Sequence, residues 1–225
     1  TSGMLGGVVT LTNGATGTFS GGSVKTFADG AVLNNHGTVT WTGGLLRGQT
    51  YNGTATVVNH DGAIFHLAAD GTPFDRFYGY HPFYFTNAPG ALLRKSSAGT
   101  PTVSDLWLTQ RGELRVEAGT LELNTSVTLA DGGRFTGAGL VRQTGDTVML
   151  AGLLTLEGTS FRVQGGTLSS SAGRVATENA ARWEWTGGTL SGALTLNAGA
   201  AALFSGGGVK TFADGAVLNN HGTVT

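Results

Sequence analysis

Hydrophobic and polar positions alternate with period two in short runs along the chain. Val39 and Trp41 alternate with Thr38 and Thr40, and Leu114 and Val116 with Glu113, Arg115 and Glu117. Leu121 and Leu123 flank Glu122, Phe161 and Val163 flank Arg162, and Trp183 and Trp185 flank Glu184. Such alternation predicts strands with one buried and one wet face. Turn dipeptides separate the runs: Asp29-Gly30, Asp61-Gly62, Asp70-Gly71 and Asp131-Gly132. No segment keeps apolar residues at helical spacing over three turns, so helices are not predicted.

The pattern repeats on two scales. Residues 19–40, FSGGSVKTFADGAVLNNHGTVT, return as 204–225 with one change, Ser23 to Gly208. The same offset extends back to the start, where Thr1, Gly3, Leu5 and Gly7 recur as Thr186, Gly188, Leu190 and Gly192. The expected organisation is one large unit over 1–185, followed over 186–225 by the start of the next, within a tandem array. Inside the unit, Asn34-x-x-Gly37, Asn59-x-x-Gly62 and Asn87-x-x-Gly90 each precede a strand-like run, and Thr109-x-x-Gly112 is a weaker copy. The Gly-Thr-Leu triplet starts at 119, 166 and 188.

A period of about 22–25 residues with several short strands per turn predicts a β-solenoid, in which stacked coils share one continuous core. Asn34, Asn59 and Asn87 are expected to form an internal amide ladder. Gly37, Gly62 and Gly90 are expected to supply positive φ at the corner. A β-sandwich or a wide antiparallel barrel is the alternative reading of the same strands.

Composition narrows the function classes. The chain has 39 Gly, about twice the usual share, only 12% charged residues, a net charge of −1 and no Cys. Sparse, balanced charge argues against nucleic acid as a partner. A hydrophobic share of 40% argues against disorder. No apolar run is long enough for a membrane-spanning helix, and without Cys there is no disulfide or thiolate metal site.

The runs FTNAPGALLRKSSAGTPTV, GELRVEAGTLEL, WTGGTLSGALTL and LNNHGTVTW resemble repeat regions of giant bacterial surface proteins, the filamentous-haemagglutinin-like and autotransporter-passenger-like adhesins. The resemblance implies a right-handed parallel β-helix, placement outside the cell or on its surface, and a structural or adhesive role. It brings no catalytic residues.

One stretch departs from the pattern. Residues 73–85, PFDRFYGYHPFYF, are rich in aromatics, and all four prolines lie between 73 and 101. Because Pro disrupts a strand ladder, residues 71–83 are expected to form a loop excursion. Phe74, Phe77, Tyr78, Tyr80 and Phe83 are candidate contacts for another subunit or a cell-surface glycan. They could equally fold back as cover.

Candidate chemistry is thin. His60, Asp61, His66, Asp70, Asp75, Arg76 and His81 form the best constellation for glycoside cleavage or a metal, but Asp61 and Asp70 sit where turn aspartates ordinarily do. No calcium-binding motif is present, and no cofactor is implied. An ice-binding array of threonines is not expected, because Thr38-x-Thr40 is followed at the later turns by Ala-Ile-Phe, Ala-Leu-Leu and Glu-Leu-Arg. The sequence therefore predicts a non-enzymatic rod segment of an extracellular fibre, stalk or filament, associating with itself. The alternatives are a glycan-binding adhesin module and, further off, a polysaccharide-degrading enzyme.

Overall fold

In a computed structural model, which describes residues 2–76 and 83–225, the chain is all-β and its parallel strands stack in about 10 turns as a β-solenoid. Every strand pairing among the described residues is parallel, which removes the sandwich and the antiparallel barrel. Each coil contributes a strand segment to each of three faces, and equivalent segments of successive coils stack. The A face starts with Gly3–Leu5, Lys25–Phe27, Leu46–Gly48 and Phe74–Arg76. The B face starts with Val8–Leu11, Val32–Asn35, Ala55–Asn59 and Phe83–Asn87. The C face starts with Thr16–Phe19, Thr38–Trp41, Ile64–Leu67 and Leu92–Lys95.

The period-two pattern decides which side chains enter. Phe65 and Leu67 of Ile64–Leu67, and Leu114 and Val116 of Glu113–Val116, are fully buried. Each such side chain contributes roughly 1.5–3 kcal/mol. Because neighbouring coils place like beside like, the interior is a column in which Phe27, Phe83, Phe74, Phe85 and Phe65 meet at centroid separations of 4.9–6.2 Å.

Coil length is not fixed. The coil from Ala55 to its partner Phe83 is markedly longer than the coil from Thr120 to its partner Leu140. Corners absorb the difference. At two coils the corner between the A and B faces has shrunk to nothing, and single strands, Thr102–Gln110 and Thr120–Leu129, run continuously around it.

The aromatic stretch is more regular than its composition suggests. The Pro73 carbonyl accepts from Leu46 N at 2.8 Å, and Phe74–Arg76 is a strand paired with Leu46–Gly48. Phe83 opens the next strand. Residues 73–76 and 83 of the excursion expected over 71–83 therefore belong to the coils, and 77–82 lie outside the described residues. Phe74 and Phe83 are also not surface contacts. They are 2% and 1% exposed, packed on each other and on Phe85 and Phe27. Phe77, Tyr78 and Tyr80 lie outside the described residues.

The long repeat and the coils are out of step. Lys25–Phe27 belongs to the A face. Following its strand from coil to coil leads through Leu46 and Phe74 to the strand that begins at Thr102, and on from Thr102 through Glu122, Arg142, Arg162, Glu184 and Leu203, eight coils further along the A face. The identical Lys210–Phe212 comes one strand later, on the B face, paired with Gly188–Leu190. Likewise Val32–Asn35 lies on the B face, but its copy Val217–Asn220 pairs with the C-face strand segment Ala193–Leu196. The 185-residue sequence offset thus spans eight coils and one face.

Candidate binding face

The corner from the B face to the C face carries the amide ladder. Asn35 Nδ2 donates to Asn59 Oδ1 at 2.7 Å, and Asn59 Nδ2 donates to Asn87 Oδ1 at 2.8 Å. The same amides reach the carbonyls of Ile64, Leu92 and Glu113 at 2.9–3.0 Å. All three side chains are fully buried. The first rung is Asn35, not Asn34. In Val32–Asn35 alternate residues face inward, which turns Asn34 out, where its Oδ1 lies 3.0 Å from His60 Nε2.

The one-residue difference between Asn34 and Asn35 comes from corner length. The first corner, Asn35-His36-Gly37, is shorter than Asn59-His60-Asp61-Gly62-Ala63, and Thr38 pairs with Ile64. Gly62 and Gly90 have φ of 73° and 76°, but Gly37 does not have positive φ. Gly37 is required for space instead, since a Cβ there would strike the Ala15 carbonyl oxygen. Gln110-x-Gly112 is a second short corner, with Gln110 stacked in register on Asn87.

The three faces differ in what they turn outward. The A face carries ion pairs: Arg47 with Asp75, Arg142 with Glu122, and Arg162 with Glu184, at 2.5–2.6 Å. The C face and its rim carry Arg94 with Glu117 at 2.9 Å, Arg115 with Glu113 at 2.8 Å, and Arg134 with Glu157. The B face is uncharged. From the third coil to the ninth its outward pairs are Thr56/Val58, Tyr84/Thr86, Trp107/Thr109, Ser126/Thr128, Thr147/Met149, Thr167/Ser169 and Thr189/Ser191.

This overturns the expectation that no hydroxyl column forms. The threonines after the Asn turn belong to the C face and do not continue. The hydroxyl rows lie on the strand before that turn. With a strand spacing of about 4.8 Å and about 3.3 Å per residue, they form a lattice of roughly 4.8 by 6.6 Å.

A groove of about 320 Å³ crosses this face. Tyr84 and Trp107 make one wall, with ring centroids 5.2 Å apart and planes inclined at 59°. Met149 makes the other, and Ser126, Thr128 and Thr147 lie between. Trp107 is 44% and Met149 47% exposed, whereas Trp41, Trp183 and Trp185 are buried. Two residues with left-handed backbone flank the groove: Asp105, φ 57°, and Asp146, φ 54°. The Asp105 kink accompanies a register shift between Ser104 and Trp107, by which the strand turns Trp107 outward. Ser126 Oγ donates to Asp146 Oδ2 at 3.0 Å, and Thr147 N donates to Asp146 Oδ1 at 2.8 Å.

The histidine and aspartate constellation is dispersed. His60, at the corner, stacks on His36 with centroids 4.0 Å apart. His66 is on the C face with Nε2 2.7 Å from Ser96 Oγ, and Asp75 is on the A face, paired with Arg47. Asp61 and Asp70 are exposed turn residues, and His81 lies outside the described residues. Among the described residues no three carboxylate or imidazole groups converge to hold a metal ion, and no helix is long and apolar enough to cross a membrane.

Burial, and then the neighbouring His36, lower the pKa of His60. Burial and Arg94 lower that of His66 against an opposing pull from Glu117. Glu117 is lowered by its hydrogen bonds from Arg94, despite burial. A second groove, on the C face, contains Glu113 and Glu157, whose carboxylates are occupied by Arg115 and Arg134.

No family model, curated protein or solved structure matches the chain.

Proposed function

We propose that the chain is a structural tandem-repeat segment of an extracellular bacterial fibre, stalk or filament, a stiff rod whose coils continue end to end. One observation carries this reading. Residues 204–225 repeat residues 19–40 with one change, and both copies stack as parallel strands of one solenoid.

At the first copy Asn35 donates to Asn59, Lys25 Nζ donates to Gly43 O at 2.7 Å, and Phe27 is 1% exposed. At the second, Asn220 keeps the local bond from Gly222 N at 3.0 Å but is exposed, and Phe212 is 50% exposed. Lys210 Nζ reaches carbonyls of its own turn, Gly206 and Gly208, at 3.3 and 3.2 Å. The first copy finds its partners in the coil that follows it, residues 41–67.

Placement outside the cell rests on the resemblance to repeat regions of bacterial adhesins. The test is small-angle scattering on the chain before and after addition of one further copy of the unit 1–185. The rod should lengthen by about 40 Å at about 4.8 Å per coil, with an unchanged cross-section. A thicker particle of unchanged length would overturn the reading.

A further inference from the structure

We infer that the groove on the uncharged face is a binding site for a neutral glycan, seated on Trp107. The inference is independent of whether the coils continue end to end. Three observations carry it.

The first is the investment in exposing Trp107. A tryptophan with nearly half its surface in water gives up burial that the core offers the other three. Its orientation depends on a non-glycine residue, Asp105, held at left-handed φ, and Asp146 across the groove is held likewise. Strain of this kind persists where surrounding structure enforces it and collects at ligand sites.

The second is the pairing of chemistries. A pyranose ring has an apolar C–H face and a rim of hydroxyls. Tyr84 and Trp107 offer apolar ring surface at one wall, and Met149 offers a pliable apolar side chain at the other. Between them Thr128 and Thr147 present hydroxyls that both donate and accept. Ser126 is already oriented, because its proton is given to Asp146 and its lone pairs remain free. The groove, at about 320 Å³, is at the small end of ligand sites and fits one or two sugar residues.

The third is electrostatic selection. The ion pairs lie on the other two faces, so a sulfated or uronic chain finds no counter-charge here. The Asp146 carboxylate at the rim repels it. The hydroxyl rows toward Ser169 and Ser191 extend the face along the rod, so a longer chain of neutral sugars can lie beyond the groove.

The intrinsic fluorescence tests this directly. Trp107 is the exposed one of four tryptophans, so acrylamide quenching reports on it. Cellohexaose and chitohexaose are the neutral probes and a heparin hexasaccharide the charged one, each titrated to millimolar concentration against the intact chain. The expected result is protection of the quenchable fraction by a neutral probe, with an affinity little changed by added salt. By calorimetry, Tyr84→Ala and Thr128→Ala should weaken binding, and Trp107→Ala should weaken it about 30-fold or more.

Trp107→Phe retains an apolar ring at a site already on the surface and should keep part of the affinity, which separates stacking from misfolding. The site is overturned by no protection by either neutral probe, by protection by heparin alone, by full binding in Trp107→Ala, or by protection that rises with protein concentration without sugar. Concentration-dependent protection without sugar would assign the face to a second copy of the chain. Ice shaping without sugar binding would assign the hydroxyl rows to an ice surface and would likewise overturn the inference.

Discussion

Asn34 and Asn35 are adjacent and identical in type, yet only Asn35 is a rung of the ladder. Truncating a ladder amide strands buried partners: Asn59→Ala leaves Asn35 Nδ2, Asn87 Oδ1 and the Leu92 carbonyl each short of a bond. Each unmade buried bond costs about 1–3 kcal/mol, so Asn59→Ala should lose roughly 2–4 kcal/mol after partial relaxation. Asn34→Ala, at a half-exposed outward position, should lose less than about 1 kcal/mol. Urea unfolding of the two variants and Asn35→Ala distinguishes them; equal losses for Asn34→Ala and Asn35→Ala would refute the assignment. The histidines give a second residue-level expectation. His60 and His66 have lowered pKa values, so below about pH 6.5 the unfolded chain, with ordinary histidines, binds more protons than the folded one. Their contribution is complete above that pH and is lost as pH falls through the folded values. Unfolding midpoints measured from pH 7.5 to 5 should therefore decline, and the double variant His60→Gln, His66→Gln should flatten the decline.

Strands and corners are where the sequence is read well and read badly. Period-two alternation identifies the inward residues, and the nested period identifies stacked coils, because both depend on local geometry that every coil shares. Corner length is not shared. Asn-x-Gly and Asn-x-x-Gly corners coexist, so spacing alone selects Asn34, and the one-residue slip reverses which side chain faces in. The same ambiguity hides the B face: its hydroxyl rows emerge only after coils of unequal length are brought into register. The Gly-Thr-Leu triplets show the effect, since 167–168 and 189–190 stack on the B face, while 120–121 belongs to the A face. Trp107 carries no sequence signal beyond an unusual residue in a strand; the Asp105 kink that exposes it is a property of the continuous strand Thr102–Gln110. That kink is itself testable. A non-glycine residue in left-handed backbone costs about 1–2 kcal/mol, so Asp105→Gly should raise stability by roughly 0.5–1 kcal/mol, the gain being reduced by the greater freedom of the unfolded chain. Asp105→Val, β-branched, should lower it. A destabilised Asp105→Gly would mean that the carboxylate, not the backbone, matters at this corner.

At the scale of the whole molecule, the mismatch between sequence unit and coil has the largest consequence. If the unit 1–185 made a whole number of coils, every copy of a side chain would lie on one line along the rod. Because the unit advances eight coils and one face, each copy is turned by one face relative to the last, and three units are needed to return. In a tandem array the groove at Trp107 would then face three directions in succession, at intervals of about 40 Å along the axis. If that groove binds a glycan as proposed, a rod so built presents its sites in three directions, and separate weak sites on one rod act together. The phase shift can be measured within this chain, which has no cysteine to interfere with labelling. Thr26 and Leu203 lie on the A face, eight coils apart, and Thr211 is the sequence copy of Thr26 on the B face. Spin labels at Thr26 and Leu203 should be separated by about 38 Å, eight rungs of about 4.8 Å. Labels at Thr26 and Thr211 should lie farther apart, since that pair adds the width of the rod to a similar rise. A shorter distance for Thr26 and Thr211 than for Thr26 and Leu203 would place the two copies on one face and remove the rotation.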